Sequence, residues 1–514
     1  MLIQIKQLVN NKLKIGLILA NIILVLILIL FSNLGILPLN ANDFTFFVIL
    51  TFLFALYRPG WAFLFFVSLI ALENINIAPE ELGIMLRPYQ LIGALTFIAF
   101  IVRFASKKIN ISLPKLKCFD ALPTLIVFGS FLSAFVSVER NSSLKISIII
   151  FSFLILYFLV RIFIQNLSDL KKVLPFFLSS ALIISLYGIL QNILFSKGLN
   201  SFAIMPGRPN ATFAEPDWLG IFLVLCIAVI FAMTYFEKKS AMLAKNAFLF
   251  GALTIFLLTL ILTVSRSAWV GAFILYVIYI FIVWTKLKFK PKNWRISEVI
   301  KQKLFIFGSL ALALIFIYSL QLTTFSLLQR AQSTGGDQII TISCEKETVL
   351  PEKINSLSEL KDFSCRHINL EEIEAEKSKN KFVTEISRPD PNVNIRQEIY
   401  QKSWQEIKNC PLLGIGWGAI GSTLGTDERG STLNSSNIFL EVWLGSGIIG
   451  LLAFVCIWIY ILIRATVYFQ KEDMLSKAFG IFLILGIIAI LIPNLFNAGI
   501  LLGIIWLFLG ISLI

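Results

Sequence analysis

Long apolar runs separated by short polar breaks dominate the chain. They predict about fourteen helical spans, near residues 14–37, 44–57, 60–73, 88–105, 120–137, 144–163, 173–195, 217–236, 247–265, 267–285, 304–321, 437–463, 478–493 and 496–513. Ile15 to Phe31 and Leu304 to Leu320 suffice, or nearly so, to cross a ~30 Å hydrocarbon core at ~1.5 Å per helical residue. The second and third runs are short and flank Arg58-Pro59-Gly60, which leaves open a re-entrant pair instead of two crossings. The last two, split at Pro493-Asn494, are also short, so the exact count stays open. The first run exceeds the ~7–15 residues of a cleavable signal core and is expected to remain.

One polar stretch interrupts the series. Residues 323–436 hold 13 basic and 16 acidic residues and almost no apolar run, as expected of a hydrophilic domain or lid. Within it Glu371 to Lys381 has the acid–base spacing of an exposed helix, read as a solvated face without chemistry. Composition agrees with the spans: 57% hydrophobic and 14% charged, against roughly 25% charged in soluble domains. The expected fold is an all-α polytopic membrane protein of about fourteen transmembrane helices with one large extracytoplasmic loop. It divides into an N-terminal helix bundle (1–322), the loop (323–436) and the C-terminal helices (437–514).

A net charge of +14 suggests nucleic acid only until its distribution is read. With a cytoplasmic N-terminus, the inside segments collect most of the basic residues: Lys6 to Lys14, Arg58, Arg103 to Lys117, Arg161 to Lys172, Lys238 to Lys245, and Arg464 to Lys477. The richest, Lys286 to Lys303, holds seven. Short outside segments hold only Arg87, Arg140, Lys145, Lys197, Arg208 and Arg266. That is the positive-inside pattern, so the expected partner is the lipid bilayer and not nucleic acid. It places both termini in the cytoplasm and the large loop outside. An oxidising exterior permits, without requiring, a Cys344–Cys365 disulfide. No CxxC or histidine-bearing cluster suggests a metal, and the one histidine, His367, reads as a surface residue.

Three unusual polar stretches open on the outer side of this map: Gly207 to Gly220 (GRPNATFAEPDWLG), Thr263 to Trp269 (TVSRSAW), and the end of the long loop entering the next span. Arg266 lies between two apolar runs. It reads either as an interfacial arginine snorkelling to headgroups or as an anion ligand in a polar cavity. Together with Arg208 and Arg396 it would suit a pyrophosphate, whose oxygens a guanidinium fork pairs bidentately. Asp217 fits helix capping; Glu215, held outside the helix by Pro216, fits it less well. Asn437 and Glu441, four apart, share a helix face, and Glu441 reads equally as a dipole partner or a functional acid.

These residues lie in motifs that resemble the O-antigen ligase and O-antigen polymerase superfamily of membrane glycan transferases. The resemblance runs from Asn394-Ile-Arg-Gln-Glu-Ile-Tyr-Gln-Lys-Ser-Trp404 through Pro411-Leu-Leu-Gly-Ile-Gly-Trp-Gly418 to Ser436-Asn-Ile-Phe-Leu-Glu-Val-Trp-Leu-Gly-Ser-Gly-Ile-Ile-Gly450. Thr263-Val-Ser-Arg-Ser resembles the family's "SR" span start, and Gly207 to Gly220 its arginine and "EP" entry. One position departs: Ser436 stands where the family has a loop histidine, a usual candidate base. The resemblance implies glycosyl transfer in a bacterial cytoplasmic membrane, from a polyprenyl-pyrophosphate-linked glycan donor to a glycan or lipid acceptor, with no cofactor. Carried onto this chain, Arg208, Arg266 and Arg396 become diphosphate ligands. Glu215 or Glu441 becomes the base, and Ser436 and Asn437 become positioning groups. Ligation and polymerisation both fit, and a small-solute transporter is the alternative from another class.

Overall fold

A computed structural model describes residues 11–108, 113–114, 116–236, 243–286, 292–323, 325, 327–332, 337–348, 350–355, 357–368, 372–389, 391–426 and 432–514. Of the basic residues in the inside segments, Lys6, Lys115, Lys238, Lys239, Lys288 and Lys290 lie outside these, as does Glu371 of the expected exposed helix.

Each apolar run contains a helix. The first eleven are α1 (Asn11–Asn33), α2 (Ala41–Tyr57), α3 (Pro59–Leu69), α4 (Pro88–Ala105), α5 (Ala121–Val136), α6 (Arg140–Phe163), α7 (Leu167–Ser196), α8 (Pro216–Phe236), α9 (Leu243–Leu262), α10 (Arg266–Lys286) and α11 (Lys292–Ser319). After the polar stretch, with α12 (Leu327–Gln332), α13 (Glu372–Ser378), α14 (Pro391–Asn409) and α15 (Ala419–Leu424), come α16 (Ile438–Gln470), α17 (Met474–Asn494) and α18 (Gly503–Ile511). Eleven helices among the described residues are long and apolar enough to cross a membrane; α2 and α3 are shorter, and α18 has 9 residues. The expected fourteen crossings therefore reduce to eleven helices of spanning length. α3 is not lipid-facing: nearly all of it is buried. Pro59 at its first position both stops α2 and starts α3.

α8 is apolar on every side and buried along most of its length, as a bundle's central helix must be. It packs on α9, α10 and α17, while α16 packs on α5 and α17. At one end of the bundle Asp120 accepts hydrogen bonds from Tyr157 (2.6 Å) and Arg161 (3.3 Å), and Arg161 also donates to the Leu513 carbonyl (2.9 Å). At the other end lie the starts of α4, α8, α10 and α16.

Helices make up most of the described chain, as expected of an all-α membrane protein, and the polar stretch adds a small sheet. This sheet is three-stranded and antiparallel, with β1 (Asp337–Cys344), β2 (Cys365–His367) and β3 (Phe382–Pro389) in the order β2-β1-β3. The cause is local alternation: Ile340, Ile342 and Cys344 turn inward at every second residue while Ile339 faces out. They meet Ile354, Leu360, Cys365 and Ile386 in a small core of their own, which the Cys344–Cys365 disulfide closes. The exposed helix expected over 371–381 forms as α13, with Lys377 and Lys379 exposed, but one of its acids turns inward. Glu376 is 2% exposed and is held by Arg366, Lys379 and Lys381, each at 3.2 Å, and by the Ser343 hydroxyl at 2.9 Å. These partners hold its carboxyl near a pKa of about 2, below the ordinary 4.5, with the Ser343 hydrogen bond as the largest cause.

Candidate functional site

The Pro411–Gly418 turn carries no chemistry of its own; it seats α16. Ile415 and Gly416 donate to the Leu444 carbonyl (2.8 and 3.1 Å), and Ile448 donates back to Leu412 (3.1 Å). Two glycines make this approach possible. Gly447 (φ +66°) interrupts α16, and a Cβ there would strike the Leu412 carbonyl. Gly416 (φ +86°) lies where a Cβ would meet the Ser137 and Ser143 hydroxyls at 2.7 Å. The turn is pinned to α5 and α6 as well: Trp417 Nε1 donates to Ser130 Oγ (2.9 Å) and Gly418 N to Ser143 Oγ (3.0 Å).

So positioned, the first piece of α16 presents Glu441 to the Ser435 amide, which precedes the helix. Asn437 caps the helix, its Oδ1 accepting from the amides of Phe439 (2.9 Å) and Leu440 (3.3 Å). Glu441 Oε2 accepts from the Ser435 amide at 2.8 Å. Ser436 is half-buried between them in the left-handed region, φ +50°. Its amide donates to Asn434 Oδ1 (2.9 Å), and its carbonyl accepts from the Tyr400 hydroxyl of α14 (3.4 Å).

The meeting point of these residues is the break between α17 and α18, which the sequence marks only by Pro493-Asn494. Asn437 Nδ2 donates to the Leu495 carbonyl (3.3 Å), and Arg396 stacks over the Phe496 ring (5.7 Å). Asn497 Nδ2 donates to Ser267 Oγ (3.1 Å), beside Arg266 at the first position of α10. Arg208 joins from the other side, donating from Nε to the Thr263 carbonyl (3.0 Å) and pairing with Asp217 at 3.4 Å. The three polar stretches of the sequence thus reach one end of the bundle through named contacts. Asp217 is more than the capping acid it was read as, because it holds Arg208. Glu215 is the cap instead: its carbonyl accepts from Trp218 and Leu219, both at 3.2 Å, although Pro216 follows it.

Each of these stretches holds one strained backbone position, as do five other places among the described residues. Ala211 (φ +47°), Val264 (φ +54°) and Ser436 (φ +50°) are non-glycine residues with left-handed geometry, one in each. For a β-branched valine this is a genuine outlier, and such outliers persist where the surroundings over-determine them, often at functional sites. A groove of about 640 Å³ adjoins the cluster, lined by Arg396, Gln397, Tyr400, Gln401 and Trp404 of α14 and by Leu440. Tyr400, Trp404 and the glutamines were legible as one helix face at spacings of four but were not singled out. Glu73 was missed as well. It accepts from Gly503 N (2.7 Å), the Tyr89 hydroxyl (2.9 Å) and Arg87 (3.1 Å), tying the α3–α4 connection to α18 behind the site.

The segment that carries the turn, α14 and the entry to α16 has a counterpart among known families. Residues 250–455 match the O-antigen ligase family. The match covers about two fifths of the chain and supports the superfamily resemblance read from the motifs. An O-antigen ligase-type membrane glycan transferase is the class of activity it supports, and it lends nothing to the transporter alternative. No curated protein matches the chain.

Proposed function

We propose that this O-antigen ligase-like protein transfers glycan from a polyprenyl-pyrophosphate donor to a hydroxyl acceptor at the membrane face where the three polar stretches meet, the extracytoplasmic one. The observation that carries the reading is the convergence of arginine-bearing helix starts on the α17–α18 break, within a chain matching this family. Arg266 opens a 21-residue helix, so its fork adds to the positive end of the helix dipole. A diphosphate seated there is stabilised as the glycosidic C–O bond breaks and the bonding electrons leave with it. Arg396 borders the same break from α14. Arg208, paired with Asp217, orients the α8 entry and lends the remaining charge.

The acceptor hydroxyl attacks the anomeric carbon from the face opposite the leaving diphosphate and gives its proton to a base. Glu441 fits that role better than Glu215, because its carboxylate is bonded to the amide beside Ser436, the position of the family's histidine. Ser436 and Asn437 hold the turn in place. The α14 groove takes the sugars: Trp404 is 49% exposed and offers a ring face, and Gln397 and Gln401 offer amides to hydroxyls.

The test compares surface glycan in a deletion strain complemented with wild type or Arg266→Ala. Collapse of long chains to single lipid-linked repeats, unrestored by the variant, means polymerase. Long chains stranded on the lipid carrier mean ligase. Unchanged glycan in the deletion strain sinks the transferase reading.

A further inference from the structure

The end of the bundle opposite the candidate site holds a second concavity, independent of the functional reading above. A slot of about 180 Å³ lies between α7, α8, α17 and α18, with Val67 of α3 and the start of α9 completing its wall. Among the described residues every lining side chain is apolar except two, Lys171 and Lys245. Both stand near the starts of parallel helices, α7 and α9, and therefore at one mouth of the slot. Lys171 is turned to it and lies 4.8 Å from the Phe236 ring, whereas its neighbour Lys172 pairs with Asp169 at 3.4 Å. From that mouth the slot follows α8 from Phe236 to Leu225. At ~1.5 Å per residue this is ~16 Å, about one leaflet of a ~30 Å hydrocarbon core.

We propose that this slot binds one anionic phospholipid of the adjacent leaflet, its phosphate on Lys171 and Lys245 and one acyl chain along α8. The shape is that of an amphiphile: an apolar channel one leaflet deep with positive charge at its mouth. A zwitterionic lipid would bring its own cation to the same mouth and gain less from the two lysines, and a free phosphate would leave the channel unfilled. Two ammonium groups near the headgroup favour an anionic lipid over a zwitterionic one by roughly thirtyfold at most.

Native mass spectrometry of the full chain in detergent tests this, with phosphatidylglycerol and phosphatidylcholine added at equal concentration. The wild type is expected to retain phosphatidylglycerol at least fivefold over phosphatidylcholine. Lys171→Gln/Lys245→Gln should abolish the preference, and Lys171→Arg/Lys245→Arg should keep it. Ala232→Trp, which fills the slot and spares the lysines, should lower retention of both lipids. Equal retention of the two lipids by the wild type overturns the proposal. So does an undiminished preference in the glutamine variant, or displacement of the lipid by glycerol phosphate alone. Melting temperatures within a few degrees of wild type identify variants that fold.

Discussion

Glu441 and Arg266 are the residues whose surroundings separate chemistry from architecture. Glutamine at 441 still offers an oxygen to the Ser435 amide now bonded at 2.8 Å, so Glu441→Gln keeps the turn and removes only a proton acceptor. Its kcat in a purified transfer assay should fall by about 10²–10⁴, the usual contribution of a general base, with KM little changed. A variant of near-normal kcat would make Glu441 a brace and return the base role to Glu215. Arg266 differs because its value lies in geometry. Arg266→Lys keeps one positive charge at the start of α10 but loses the planar fork. It should recover only part of the ~10²–10³ loss in kcat expected of Arg266→Ala, the cost of one oxyanion donor. Full activity in Arg266→Ala would reduce this arginine to an interfacial anchor.

At the scale of elements, the interrupted α16 turns a glycine pattern into a site. Gly447 takes a backbone geometry (φ +66°, ψ −170°) that is essentially glycine-only, and its open side lets the Pro411–Gly418 turn close beneath Ser436. Gly447→Ala should cost at least ~1–3 kcal/mol, seen as a lower thermal midpoint with loss of transfer. Trp404 of α14 is the opposite case: it is half exposed, and its ring makes an edge contact with Trp443 at 6.0 Å. Trp404→Ala should lower the midpoint by no more than a few degrees and raise the acceptor or donor KM by up to about tenfold, the scale of one aromatic contact. The helices themselves were readable, because apolar runs bounded by Arg58-Pro59 or Pro493-Asn494 announce their own ends. The three polar stretches were readable as unusual for the same reason: little else breaks those runs. Their meeting place was not. Asn437 and Leu495 are 58 residues apart and Asn497 and Ser267 are 230 apart, and neither bond leaves a local trace. The sheet escaped because an eight-residue strand such as Asp337–Cys344 alternates too briefly to stand out in a charged stretch.

The whole molecule couples two bodies with separate cores: the helix bundle, and the β2-β1-β3 sheet with its disulfide. The sheet's weak point is electrostatic. Glu376, nearly solvent-free, is surrounded by Arg366, Lys379 and Lys381, and its carboxyl is held at about 2 against an ordinary 4.5. A depressed pKa stabilises the folded form above the unfolded value, and that stability drains away as pH falls through the folded one. The sheet is therefore fully supported at pH 6 and loses support between about 4.5 and about 2. The disulfide opposes this opening by constraining a loop of 21 residues, worth about 3 kcal/mol in the unfolded state. Acid and reductant should consequently act together. Limited proteolysis of the purified protein should cut residues 337–389 readily at pH 3 with a phosphine reductant, which needs no thiolate. Acid alone, or reductant alone at pH 6, should cut them slowly, with the bundle intact throughout. Glu376→Gln has no carboxylate to protonate, so its cleavage should vary little between pH 6 and pH 3. A variant that kept the wild-type acid sensitivity would move the cause away from this cluster. Cleavage of the bundle in step with the loop would mean that the two bodies unfold as one.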